Sequence, residues 1–136
     1  MRFHNMTRAA AGAFLIAIAA PVLAHHSFSA EFDANAPVTV KGKVTRVAWN
    51  NPHVWIYLNV PAEDGSMVNW GAEFGAPHQL QNLGWAREML KPGDEITVEG
   101  FRARNKSPRL NGRRLTEMAT GKVLTGLGAG APPESQ

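Results

Sequence analysis

The chain has no cysteine. That absence excludes disulfides, thiolate metal sites and cysteine nucleophiles together, and also lipid attachment through a cysteine at an export cleavage site. No HExxH pair, glycine-rich phosphate loop or serine in a strand-to-helix elbow occurs, so the common signatures of zinc hydrolysis, phosphoryl transfer and serine hydrolysis are missing. Carboxylates are sparse: Glu73, Glu88, Asp94, Glu95, Glu99 and Glu117 show no spacing that sets an acid opposite a base. No internal repeat with a period of about 20–50 residues is present. Together these absences point to a protein that is not an enzyme.

Long apolar runs are also lacking. The uncharged stretch Ala9–Ala20 follows Arg2 and Arg8 and ends at Pro21, and it falls short of the ~18–20 residues needed to span a bilayer. Val22-Leu23-Ala24 sets small or modest side chains at the −3 and −1 positions of a cleavage site. The expectation is a cleavable secretory signal over residues 1–24, a mature protein beginning at His25 and a periplasmic or secreted destination, with no transmembrane segment after cleavage. An uncleaved anchor is the alternative. No twin-arginine pair precedes the apolar run, which favours export of the unfolded chain. Two of the cations behind the formal charge of +3 are Arg2 and Arg8, so the mature part is close to neutral. Its roughly 110 residues suffice for one hydrophobic core and not for two.

Periodicity then gives the elements. Val38–Trp49 reads as a strand whose apolar phase flips from Val38, Val40 and Val44 to Val47 and Trp49, as a β-bulge requires. Gly42 sits just before the flip and eases bending. After the turn Asn50-Asn51-Pro52, the segment His53–Val60 alternates Val54, Ile56, Leu58 and Val60 against His53, Trp55, Tyr57 and Asn59. An Asp64-Gly65 loop leads to a third strand over Met67–Phe74. Pro77 opens a short helix to about Asn82. Glu95–Ala103 is a fourth strand and about Arg113–Thr120 a fifth, with Val123-Leu124 a short extension. Three strands, a helix and two more strands, with a bulge in the first, is the order of an OB-fold. The fold class is therefore all-β with one short helix, an OB-fold-like five-stranded partly open barrel over residues 25–125, with 25–37 as an N-terminal arm. The Gly- and Pro-rich residues 126–136 read as a disordered tail.

Several stretches resemble those of an uncharacterised family of small exported proteobacterial proteins. They are His25-His26-Ser27-Phe28 through Asp33, Gly42-Lys43-Val44 through Trp49-Asn50-Asn51-Pro52-His53-Val54-Trp55-Ile56, Gly84-Trp85, and Leu90 to Asp94. The resemblance spans nearly the whole mature chain and implies export and a compact β domain, without an activity.

Three groups of side chains are candidates for function. Trp55 and Tyr57 lie out of phase with the apolar side of their strand, with Asn69 and Glu73 opposite on the third. In OB-folds the face of strands two and three is a usual ligand surface. The competing reading is a sheet covered by the segment Phe28–Phe32. A second group is His25, His26 and His53. A free amine on His25 titrates near pH 8, and nitrogen ligands in a flat set favour copper. Cu is thus the one cofactor the sequence suggests, with His78, Glu31 and Asp33 as further donors. The bland reading makes His25 and His26 a polar chain end. The third group is Arg102, Arg104, Lys106, Arg109, Arg113 and Arg114, placed between the fourth and fifth strands as a patch for an anionic partner or a solvated hairpin. Export argues against nucleic acid. The expectation is a monomeric periplasmic binding module for an envelope ligand or protein. A copper-handling protein and a structural envelope protein without ligand are the alternatives.

Overall fold

The structure is a computed structural model and describes residues 28–128. The expected signal segment, His25, His26 and residues 129–136 lie outside it. A short helix α1 (Phe28–Glu31) leads into an unusually long strand β1 (Phe32–Trp49), followed by β2 (Val54–Pro61), β3 (Met67–Glu73), α2 (Pro77–Asn82), β4 (Glu95–Ala103), β5 (Arg109–Glu117) and β6 (Val123–Thr125). The sheet order is β3-β2-β1-β4-β5-β6, and a parallel β3–β5 pairing closes the first five strands into a ring. With α2 inserted between β3 and β4, this is the OB-fold-like arrangement. The sheet has six strands, because β6 pairs with the outer edge of β5.

β1 can take part twice because it is long and bent. Its first half pairs with β4 from Phe32 to Lys43, and its second half pairs with β2 from Lys43 to Trp49. The register slips between Val44 and Arg46, where the apolar phase of the sequence flips. Turn chemistry holds the corners. Gly65, Gly84 and Gly93 have positive φ, which a residue without Cβ adopts without steric penalty. Gly84 ends the helical segment, and Trp85 beside it donates its indole N–H to Thr125 O at 2.9 Å.

The ring interior holds one core, built from Val40, Val44, Val54, Ile56, Leu58, Ala72, Phe74, Leu80, Trp85, Ile96, Val98, Leu110 and Leu115, with Leu90 and Leu124. A smaller cluster of Phe28, Phe32 and Ala103 sits on Phe101. Hence the segment Phe28–Phe32 packs against β4, with Phe28 at 5.9 Å from Phe32 and 5.6 Å from Phe101 between ring centroids.

Two expectations need correction. β5 starts at Arg109, not Arg113, because pairing with β4 on one side and parallel pairing with β3 on the other, from Gly71–Arg109 onward, hold this weakly β-forming segment in the sheet. The chain also stays packed beyond residue 125: Gly126 and Gly128 are buried, and Gly126 N–H donates to Arg113 O at 2.7 Å. No helix among the described residues is long and apolar enough to cross a membrane.

Candidate functional site

The outer face of β2 carries Trp55 and Tyr57 because the strand's even positions are committed to the core. Their rings lie 6.2 Å apart, inclined by 20°, and both are half-buried rather than covered. On the neighbouring strand Gly71 pairs with Tyr57. A Cβ at Gly71 would stand 3.3 Å from the Tyr57 ring and 3.4 Å from Trp55, so this glycine leaves the rings room to lie against β3. Arginines flank the rings on both sides. The Arg46 guanidinium lies 4.0 Å from the Tyr57 centroid and that of Arg109 lies 4.9 Å from Trp55, within the ~6 Å at which a cation is drawn to a ring face. The order across three strands of the ring is therefore Arg46, Tyr57, Trp55, Arg109.

Acidic groups border this layer on the Trp55 side. Glu73 pairs with Trp55 across the strands and is held by His53, whose Nδ1 lies 2.7 Å from Glu73 Oε1. Arg109 reaches Glu31 Oε2 at 3.4 Å. Burial raises the pKa of Glu73 above the ordinary glutamate value. The His53 contact opposes that rise, and the Glu31 carboxylate adds to it. A carboxylate whose folded pKa is raised stabilises the fold fully only below its unfolded value, and the contribution is lost as pH rises through the folded one. Glu73→Gln is thus expected to gain stability relative to the native protein as pH climbs above 4.5, the ordinary value. Urea unfolding of both forms across pH 4 to 8 checks this. A difference that stays flat or narrows with pH would show that His53 compensates the burial in full.

The sequence candidates are distributed as follows. Trp55, Tyr57 and Glu73 come together. Asn69 lies one pairing step along the same face, where its amide donates to Asn59 Oδ1 at 2.8 Å and Thr45 Oγ1 at 3.1 Å. His53 belongs to the Glu73 pair, and His78 is exposed on α2. Among the described residues no group of three histidine or carboxylate side chains is close enough to hold one metal ion, and His25 and His26 lie outside that range.

The six basic residues are spread along the β4–β5 hairpin. Arg102 is on β4, and Arg109, Arg113 and Arg114 are on β5, leaving Arg104 and Lys106 in the connection. Four of them are engaged separately: Arg114 with Glu99 at 3.1 Å, Arg104 Nε with Ser29 O at 2.7 Å, Arg109 with Glu31 and Trp55, and Arg102 with Lys106 O at 3.0 Å. Sequence reasoning missed Arg46 and Gly71. The phase flip that marks the bulge carried the signal for Arg46, and Gly71 stands between Asn69 and Glu73 on the face already singled out.

Clefts open on both sides of the layer. One of about 360 Å³ is bordered by Arg46, Trp49, Arg87 and Lys91, and one of about 250 Å³ by Glu31, Arg104 and Arg109. Each takes in one of the two arginines that flank the rings.

A five-strand ring closed by β3 and β5, with a bent first strand, defines a small OB-fold-like domain, here with an aromatic and cationic outer face. The chain belongs to DUF6152, a family of unknown function whose model matches residues 11–111. No curated protein matches the sequence. Among solved structures it is similar to the mitochondrial single-stranded DNA binding protein Rim1 of S. cerevisiae, at 14% identity and a TM-score of 0.45, over 61% of this chain and 93% of that one.

Proposed function

We propose that the protein is an exported, non-enzymatic binding module that takes its ligand on the outer face of β2 and β3. The observation that carries this reading is the layer Arg46, Tyr57, Trp55, Arg109. Aromatic faces stack on planar or ring-bearing ligands, and guanidinium groups beside them favour a ligand that carries negative charge. The clefts on either side lengthen the surface beyond the two rings. The leading segment 1–24 supports an envelope location, where anionic glycans and lipid headgroups are the abundant polyanions.

The test is an NMR titration of the purified protein with single compounds: a sulfated disaccharide, a neutral disaccharide, a nucleotide and glycerophosphate. The anionic ring compounds are expected to move the Trp55 indole N–H. Trp55→Ala is expected to weaken their binding roughly tenfold or more, about 1.4 kcal/mol, while the fold is retained. If no compound moves Trp55, or if Trp55→Ala binds as well as the native protein, the outer face is a structural sheet surface and this reading fails.

A further inference from the structure

We propose that the end of the ring near the β2–β3 hairpin is a second binding site, and that it takes a medium-chain fatty acid. Inward positions of the ring are filled mainly by aliphatic and aromatic side chains, and Arg102 departs from that pattern. Arg102 pairs across the sheet with Leu110, and directly opposed residues point to the same side. Leu110 is fully buried in the core, so Arg102 faces the interior. Its guanidinium lies 5.5 Å from the Trp70 ring centroid, and Trp70 itself packs against the core.

The space in front of Arg102 is an open cleft of about 590 Å³, walled by Val38, Val40, Val60, Val68 and Pro108. That volume lies within the ~300–1,000 Å³ range of small-ligand sites. β-Branched walls offer dispersion contacts to an aliphatic chain, and a single guanidinium supplies the planar fork that a carboxylate matches. Among the described residues Arg102 enters no ion pair, and its buried Nε–H has no acceptor. A bound carboxylate provides the ion pair. Lys106 lines the same cleft, and its backbone is left-handed at φ 61°, an uncommon state for lysine that a surrounding structure must enforce. There its carbonyl accepts from Arg102 Nη2 at 3.0 Å, which steadies the guanidinium. Glu63 borders the cleft from the exposed hairpin and disfavours larger polyanions. This site is separate from the outer face, so either can stand without the other.

The experiment is a calorimetric and NMR titration of the purified protein with decanoate, decanol, decyl phosphate and decyltrimethylammonium, each below its micelle concentration. Decanoate is expected to bind saturably and to shift the Trp70 indole N–H. Binding should weaken at least tenfold in Arg102→Gln and be unchanged in Arg114→Gln. Val68→Phe narrows the cleft with Arg102 in place and should also abolish binding, so the proposal does not rest on one variant's folding. Decanol binding as tightly as decanoate would overturn the anionic head, and tighter decyl phosphate would overturn the carboxylate. No binding by any of the four, or binding unaffected by both cleft variants, would overturn the site.

Discussion

Phe74→Ala is expected to remove about 3–5 kcal/mol of stability, the usual loss when a buried phenylalanine is truncated. The site argues for the upper part of that range. Phe74 is fully buried and its ring sits 4.9 Å from that of Trp85. Two glycines make room for it: a Cβ at Gly112 would come within 2.3 Å of the ring, and one at Gly126 within 2.4 Å. One side chain thus ties the end of β3 to the segment after α2, to β5 and to the chain beyond β6. No small residue nearby can collapse into the space without moving backbone. Against a total stability of roughly 5–15 kcal/mol, the loss leaves a marginal domain. Urea unfolding followed by tryptophan fluorescence should show a lower midpoint with an unchanged slope. Gly112→Ala should destabilise from the other side of the same contact. Combined with Phe74→Leu it should cost less than the sum of the two single changes, because the smaller side chain frees the space the new methyl needs. A loss below about 1 kcal/mol for Phe74→Ala, far outside the usual range, would mean that the ring is not what joins these elements.

Much of this arrangement was legible in the sequence, and the failures share a cause. Helix α2 and strand β4 were readable to the residue because their boundaries are set locally, by Pro77 at the helix start and by the Lys91–Asp94 turn before Glu95. The bulge in β1 was readable because a shift of one residue flips every side chain after it. By contrast, Arg109 to Gly112 contains no β-branched or aromatic residue, and it joins the sheet through partners on both sides, β4 and the distant β3. Placing β5 too late left Arg109 in the connection, although it lies on the strand. Glycine-rich composition likewise suggested that packing ends at residue 125, whereas Gly126 is required where Phe74 leaves no room for a side chain. At the candidate site, alternation revealed Trp55, Tyr57 and Glu73. Arg46 meets Tyr57 across the β1–β2 pairing just past the bulge, whereas Arg109 reaches Trp55 only through the closure of the ring, which no local pattern encodes.

That closure depends on Gly42, and Gly42→Ala is expected to cost about 3 kcal/mol, the upper end for overpacking. At this point β1 passes from one partner to the other: Gly42 pairs with Ile96 of β4, and Lys43 pairs with both Glu95 of β4 and Asn59 of β2. The two partner strands therefore meet β1 together at the bend. A Cβ at Gly42 would lie 2.0 Å from the Asn59 carbonyl oxygen and 2.8 Å from its carbon. Both are backbone atoms, so no side chain can rotate away, and relief requires β2 to separate from β1. The contrast with Gly65 is direct: a Cβ there meets nothing within 4 Å, though its φ of +83° still favours glycine. Movement of β2 would also displace Tyr57 from Arg46, its cross-strand partner just past the bulge. The expected result is a lower urea midpoint accompanied by NMR shifts that extend from Asn59 to Tyr57 and Arg46. Lost stability with an unchanged Tyr57 environment would mean that β1 yields before the bulge and insulates the outer face from the bend. An effect below about 1 kcal/mol, the low end for added core volume, would mean that the handover between strands has slack, and that the ring is held by its core rather than by its corner.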